Sequence, residues 1–330
     1  MLGLGLGLEY WLSPNHVLTT FTTWYALAVL KISGFTICRN SVKLGYPFRE
    51  SILSLAPLCD EIVIAVGDSE DNTREELEKL SQQIEKDSKC KMKLVDSPWD
   101  LASTKGGLEL SRQTNIALDH CSHEIVFYLQ SDELLHDEDY PTIRTDLLRL
   151  ASHSHAQSLV FKWLHFFGDE FSEARSRKWY RREIRAFKKS SGLRSYKDAQ
   201  GFRKPDAQMQ KWEALPGILS EARVLHYGWI RPPELMQLKT NDFQHWWHGK
   251  SGNYQANSLF RPQYGIRSYK GTHPQVMKNY INELPKMPQA FYLNAKAPLN
   301  WDSLRCFISE CSEIVADFRP GEFKNYSKLY

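Results

Sequence analysis

The sequence predicts an α/β fold built on a mostly parallel sheet flanked by helices. Short runs rich in β-branched and aromatic residues alternate with segments of helical period between residues 31 and 140. Four strands separated by helices favour a parallel sheet with right-handed crossovers. The composition agrees, because 330 residues with 42% hydrophobic and 25% charged side chains can form a large buried core. Disordered and fibrous classes are therefore excluded.

The four predicted strands are apolar segments that end in polar residues. In chain order they are ISGFTIC, EIVIAVGD, KMKLVDS and EIVFYLQSDE. The second does not alternate between apolar and polar residues, which is typical of a strand covered on both faces. Helical period predicts the connecting helices, at residues 48–58, 71–86, 107–121 and 141–152.

The pattern changes beyond Tyr140. SLVFKWLHFFGD and WYRREIRAFKK predict two further strands, and the remainder from about Arg231 is rich in aromatic residues and offers few clean periods. Residues 171–204 carry twelve basic side chains against three acidic ones, although the whole chain has a net charge of only +3. Six cysteines without a CxxC pair indicate a reducing compartment rather than a disulfide framework.

The first thirty residues are apolar but carry no basic flank of the kind that a signal peptide has. Four threonines, Pro14 and Asn15 dilute the apolar run, which weakens the case for a membrane span. We expect residues 1–30 to be a poorly ordered extension or a mis-set start. A membrane or interfacial segment is the alternative.

Polar side chains cluster where the predicted strands end. In parallel sheets ligands bind at the carboxyl ends of the strands, so this coincidence predicts a binding site. The residues concerned are Arg39 and Asn40 after the first strand, Asp68 and Asp71 after the second, and Gln130, Asp132 and Glu133 after the fourth.

Two of these motifs, and a third before the predicted helix at 107–121, each have a functional and a structural interpretation. The VGDSEDNT turn can accept hydrogen bonds from a ribose or base, or it can simply cap the next helix. The QSDE carboxylates suit Mg²⁺ or Mn²⁺, or they form a solvated acidic turn. Lys105 with two glycines before a helix can hold an anion, or the segment is a flexible loop.

Three further candidates lie downstream. His226, after a short apolar strand, can complete a metal site with Asp132, or it is an ordinary hydrogen-bonded histidine. Asp198 is the only carboxylate between Glu183 and Asp206, and it can act as a general base or form an ion pair. Trp246 and Trp247 favour core packing over an aromatic platform for a sugar or base.

The order of these motifs resembles the family 2 glycosyltransferases, which have the A-type glycosyltransferase fold. The segments that carry the resemblance are FTICRN, VAVGDSEDNT, SPWD, LSRQTNIAL, YLQSDE and LHYG. They cover residues 31–140 well, and they are closest to bacterial members in which QxDE replaces DxD. The resemblance implies a catalytic domain at residues 31–230, with its nucleotide-sugar-binding half at 31–140 and an acceptor-side region at 231–330.

The resemblance also implies roles for individual residues. Nucleotide-sugar binding is expected for Arg39, Asn40, Asp68, Asp71, Lys105, Arg112, Asn115, Gln130 and Asp132. Asp132 and His226 would be the ligands of a divalent cation, Mn²⁺ or Mg²⁺, and Asp198 would be the catalytic base. Gln130 replaces the first aspartate of DxD, and because an amide is a poorer metal ligand than a carboxylate, metal dependence is in question.

These expectations describe a cytoplasmic enzyme that transfers a sugar from a nucleotide diphosphate donor to a glycan or lipid-linked acceptor. Inversion at the anomeric carbon, a role in surface polysaccharide or glycolipid synthesis and peripheral contact with the inner face of a membrane are implied. One alternative is a nucleotidyltransferase acting on a sugar phosphate, against which the missing glycine-rich nucleotide loop counts. The other is a nucleic-acid-binding protein using the basic segment, although the acidic strand ends would repel phosphates.

Overall fold

The computed structural model describes residues 30–103, 105–249, 263–284, 300–322 and 324–329. The first 29 residues lie outside these ranges, so the expectation of an extension or interfacial segment there stays a prediction.

The elements alternate between strand and helix in the first half of the chain. The helices are α1 (Phe48–Leu55), α2 (Thr73–Asp87), α3 (Leu108–Asp119), α4 (Tyr140–Ser152), α5 (Pro233–His248), α6 (Lys278–Glu283) and α7 (Trp301–Ala316). The first seven strands are β1 (Ile32–Cys38), β2 (Glu61–Val66), β3 (Lys91–Asp96), β4 (Ile125–Tyr128), β5 (Glu133–Leu135), β6 (Ser158–Phe167) and β7 (Asp169–Ala174). The others are β8 (Arg182–Lys188), β9 (Arg194–Tyr196), β10 (Gly201–Pro205), β11 (Trp212–Glu213), β12 (Leu215–Trp229), β13 (Ile266–Ser268) and β14 (Tyr326–Lys328).

The parallel half of the sheet is the one that the sequence predicts. Strands lie in the order β3, β2, β1, β4 and pair in parallel throughout. The β2 run is buried on both faces from Ile62 to Val66, which explains why its sequence shows no alternation. The prediction of an α/β sheet flanked by helices is therefore confirmed.

Beyond β4 the sheet becomes mixed. β8 pairs antiparallel with β4 and with β6, and β6 in turn pairs parallel with β12. β12 is 15 residues long and also pairs with β5 and β14. This long strand brings the second half of the chain to the carboxyl ends of the parallel strands.

The predicted end of the fourth strand is wrong. The strand stops at Tyr128, and Glu133 belongs to β5, which pairs antiparallel with β12. The chain turns between them because Glu133 N–H donates to the Gln130 carbonyl while the Glu133 carboxylate accepts from Gln130 N–H. Asp132 and Glu133 are 4% and 0% exposed, so the cluster is not a solvated acidic turn.

No helix in the part of the chain that the structure describes is long and apolar enough to cross a membrane.

Candidate functional site

A cavity of about 430 Å³ opens at the carboxyl ends of β1 and β4. Parallel strands present their carboxyl ends at one edge of a sheet, and this is where ligands bind in such folds. The cavity brings together five of the residues singled out in the sequence: Arg39, Gln130, Asp132, Asp198 and His226. Residues of α5 form the opposite wall.

Asp132 lies in the cavity wall beside two cations, the buried Arg231 and Lys239, whose side chain is 17% exposed. Its Oδ2 accepts from Lys239 Nζ at 2.9 Å and from Arg231 Nη2 at 3.2 Å. Burial alone would raise the pKa of Asp132, but neighbouring positive charge, that of Lys239 first, outweighs it and holds that pKa well below its usual range. Burial lowers the pKa of Lys239 to about 8, so its ammonium persists at neutral pH. Arg231 also lies over the Tyr46 ring at 3.8 Å.

His226 presents an unprotonated nitrogen to Asp132. The Tyr180 carbonyl can only accept, so His165 Nε2, 2.8 Å away, carries a hydrogen. Burial lowers the pKa of both histidines, that of His226 to about 4, so each ring carries one hydrogen. His165 Nδ1 therefore accepts from His226 Nδ1 at 3.1 Å. This leaves a lone pair on His226 Nε2, which lies 3.7 Å from Asp132 Oδ1.

Residue 228 packs tightly against these two side chains. A Cβ at Gly228 would collide with both His226 Nε2 and the Asp132 carboxylate, so glycine is required at this position. A nitrogen lone pair and a carboxylate oxygen that converge without a proton between them suit a divalent cation. Among the described residues, no group of three His, Cys, Asp or Glu side chains could hold a metal ion. A cation bound to Asp132 and His226 would therefore need its other ligands from a different source.

A buried ion pair holds the turn that carries Asp132. Arg185 Nε and Nη2 donate to the two oxygens of Glu133 at 2.8 and 2.7 Å, and both side chains are fully buried. The Arg185 guanidinium also lies 4.3 Å from the centre of the Trp163 ring and donates to the Gln200 carbonyl. Arg185 thus connects the Asp132 turn to the loop that carries Asp198.

The outer part of the cavity is aromatic and cationic. Arg39 lies over the rings of Trp99 and Trp246, and its Nε is 3.4 Å from the Asp68 carboxylate. Asp68 also accepts from Trp99 N–H and does not itself line the cavity. Trp246 is buried, as core packing predicts, yet it forms part of the cavity wall. Gly67 is required here because a Cβ would collide with the Trp99 indole.

Asp198 lies in the turn between β9 and β10 and faces the cavity. Its neighbours Lys197 and Ala199 both have positive φ, so the turn is tightly folded. Burial raises the pKa of Asp198 above its usual range. Gln130 lies on the facing wall and donates from its side chain to the Ala199 carbonyl at 3.0 Å.

The remaining predicted site residues lie outside the cavity wall. Asn40 accepts from Glu70 N–H, and Asp71 accepts from Lys43 and Thr73 N–H. Arg112 pairs with Glu109, Asn115 exchanges two hydrogen bonds with the Ser195 backbone, and Lys105 is exposed. In this structure the side chains of Asn40, Asp71 and Asn115 stabilise loops. For these three residues, and for Lys105 and Arg112, a direct role in nucleotide-sugar binding stays a prediction.

Sequence reasoning missed Arg231, Lys239 and His165. Arg231 lies just before α5 and Lys239 lies within it, in a region of the sequence without a clear helical or strand period. His165 is a single histidine in an apolar strand. No local pattern marks them, because their partners are distant in sequence.

The basic segment is not an open cationic surface. Arg181 and Arg182 pair with Asp317, Arg185 pairs with Glu133, and Arg194 pairs with Asp119. Because much of its charge is neutralised within the fold, the observation behind the nucleic-acid alternative loses its weight.

No protein-family model matches the chain, and no curated protein matches it. Among solved structures, TarS 1–349 from S. aureus is 16% identical, with 63% of this chain and 64% of that chain covered and a TM-score of 0.35. The same protein with UDP-GlcNAc is 22% identical over 42% and 36%, with a TM-score of 0.29. Glucosyl-3-phosphoglycerate synthase from Mycobacterium tuberculosis, with Mn²⁺, UDP and phosphoglyceric acid, is 18% identical over 43% and 46%, with a TM-score of 0.27. The chain thus spans less than two thirds of each, and likenesses at this level do not bear on function.

Proposed function

We propose that this chain is a glycosyltransferase with the A-type fold, which transfers a sugar from a nucleotide diphosphate donor to an acceptor hydroxyl. One observation carries the proposal: Arg39, Gln130, Asp132, Asp198 and His226 converge on a single cavity at the carboxyl ends of parallel strands. The resemblance to the bacterial QxDE subgroup of family 2 supports the same activity.

The cavity is suited to a ligand with an anionic centre and an aromatic end. Arg231 and Lys239 provide positive charge beside Asp132, where a diphosphate would lie. Trp99 and Trp246 with Arg39 would contact the base and ribose. Asp68, which orients Arg39, would act at this end of the donor.

Asp132 Oδ1 and His226 Nε2 would hold a divalent cation together with oxygens of the diphosphate. Bound there, the cation would neutralise charge on the leaving diphosphate. Arg231 and Lys239 keep the Asp132 carboxylate ionised and oriented, and His165 keeps the His226 lone pair directed at the same point.

Asp198 would be the general base. The acceptor oxygen attacks the anomeric carbon while the bond from that carbon to the diphosphate breaks, and the acceptor proton passes to the Asp198 carboxylate. Direct displacement of this kind inverts the anomeric carbon. The cationic side chains on the opposite wall stabilise the departing diphosphate.

The donor class is tested by thermal shift with UDP-, GDP-, CMP- and dTDP-sugars, each with and without Mn²⁺. We expect one nucleotide to raise the melting temperature in a Mn²⁺-dependent manner, because ligand binding stabilises the folded state by mass action. His226→Gln should lose the Mn²⁺ dependence, and His120→Gln, at an exposed histidine, should keep it.

Two results of that panel would count against the proposal. If a donor raises the melting temperature equally with and without Mn²⁺ in every variant, the proposed cation site is wrong and the proposed glycosyltransferase activity stands. No shift with any donor, together with pyrophosphate release from a nucleoside triphosphate and a sugar phosphate, would favour the nucleotidyltransferase instead.

The pH dependence of transfer tests the role of Asp198. A base must be deprotonated, and burial raises the pKa of this carboxyl, so kcat/KM should fall as the pH drops through a value above the ordinary aspartate range. Asp198→Asn should lower kcat by about a hundredfold or more and abolish this acidic limb. Asp206→Asn in the following turn is the matched control. If the pH profile of Asp198→Asn keeps the same acidic limb, that limb reports the titration of another group, and Asp198 is not the base.

A further inference from the structure

Helix α7 turns its polar side towards the protein. Cys306 and Ser309 are buried, and the acidic side chains on the same side form ion pairs with arginines. These pairs are Glu310 with Arg267, and Glu313 with Arg181 and Arg319.

The opposite side of α7 is apolar and exposed. Trp301, Ile314 and Val315 are 78%, 77% and 86% exposed, and the others are about half exposed. The full set, here called the α7 apolar face, is Trp301, Leu304, Phe307, Ile308, Cys311, Ile314, Val315 and, just after the helix, Phe318. At 100° per residue the helical members lie within an arc of about 140°.

This orientation is the reverse of that found in a surface helix of a globular protein, which buries its apolar stripe. Half of the large hydrophobic side chains that are exposed in the described residues lie between Trp301 and Phe318. A contiguous patch of this kind marks a surface that meets another apolar phase.

The charged side chains around the α7 apolar face indicate what kind of apolar partner it meets. The exposed Arg177 lies near the segment that follows α7, because its Nη2 donates to the Pro320 carbonyl, and the exposed Lys178 is the next residue in the chain. Arg305 is exposed on the helix next to the apolar arc. Glu310 and Glu313 point inward, and the exposed Asp302 lies outside the arc. Asp317, exposed just after the helix, is paired with Arg181 and Arg182. The outward surface therefore combines apolar and basic side chains.

We infer that the α7 apolar face lies on a lipid bilayer that contains anionic headgroups. An apolar face with tryptophan and phenylalanine enters the acyl boundary, and the flanking basic side chains contact the headgroups. With 16 residues α7 is about 24 Å long and lies flat on the surface. This inference does not depend on the proposed activity, since the face is separate from the cavity.

Cys311 provides a probe at the centre of the face. It is exposed, whereas the other five cysteines are buried. An environment-sensitive fluorophore on Cys311 of the full chain should shift its emission to the blue on addition of phosphatidylcholine vesicles with about a third phosphatidylglycerol. Ile314→Ser/Val315→Ser should weaken vesicle binding by about tenfold or more, because two apolar side chains leave the lipid.

The controls separate lipid from other occupants. Phe171→Ser/Met209→Ser, two exposed apolar residues elsewhere, should bind vesicles as the wild type does. Arg177→Gln/Lys178→Gln should weaken binding only to anionic vesicles. Emission that is already blue-shifted in buffer and does not change with vesicles would mean that the chain itself covers the face. A shift that follows protein concentration, with self-association in sedimentation equilibrium, would assign it to a second copy; either result overturns the inference.

Discussion

Asp132→Asn is expected to reduce sugar transfer by at least about a thousandfold. The substitution replaces the carboxylate proposed to hold the cation by a neutral amide, which is a poorer metal ligand, and it removes the negative charge that pairs with Lys239 and Arg231. The measurement is the release of nucleoside diphosphate from the donor that the thermal-shift panel identifies. Asp87→Asn, the same chemical change at an exposed position on α2, should leave the rate unchanged.

The same substitution leaves the buried Arg231 and the partly buried Lys239 without their carboxylate partner, so the variant should also be less stable. Asp132→Asn/Lys239→Met removes one of these cations and should recover part of the lost melting temperature without recovering transfer. Wild-type activity in a folded Asp132→Asn protein would contradict the assignment of this carboxylate to the active site.

Arg185→Met is expected to lower the free energy of unfolding by about 3–5 kcal/mol. Arg185 and Glu133 are fully buried and bound through two hydrogen bonds, and removal of the guanidinium leaves an uncompensated carboxylate in the core. The free energy of unfolding is measured by urea titration.

The matched variants decide whether the charge is responsible. Glu133→Gln/Arg185→Met removes both charges and should regain much of the loss. Glu221→Gln breaks an ion pair with Lys162 at the surface, where the glutamate is 78% exposed, and should cost less than about 1 kcal/mol. A loss below that figure in Arg185→Met would show that the buried pair does not stabilise the fold.

The parallel half of the fold can be predicted from the sequence because the patterns that determine its strands and helices lie within short segments of the chain. The β2 run is uniformly apolar, and helical period marks the segments on either side of it. The end of the fourth strand was mispredicted because the turn at Gln130 depends on Glu133, whose burial requires Arg185, 52 residues away.

The candidate site was predictable in part. The polar strand ends singled out Arg39, Gln130 and Asp132, and the structure brings them together with Asp198 and His226 at one cavity. Their electrostatic environment was not predictable. The basic segment suggests a positive surface because its acidic partners are distant in sequence. Asp317 lies more than a hundred residues further along the chain than Arg181, and Glu133 and Asp119 lie before the segment.

The long strand β12 has a consequence for the order in which the chain assembles. Asp132 is 99 residues from Arg231 and 107 from Lys239, and β12 must join β5 and β6 before these groups meet. Pairing over such separations is slow, because the entropy of closing the intervening loop is lost before the contacts form. During synthesis the aspartate leaves the ribosome well before its cationic partners do. The parallel strands can therefore form first, and the nascent protein acquires its balanced charge cluster only in a late step of folding.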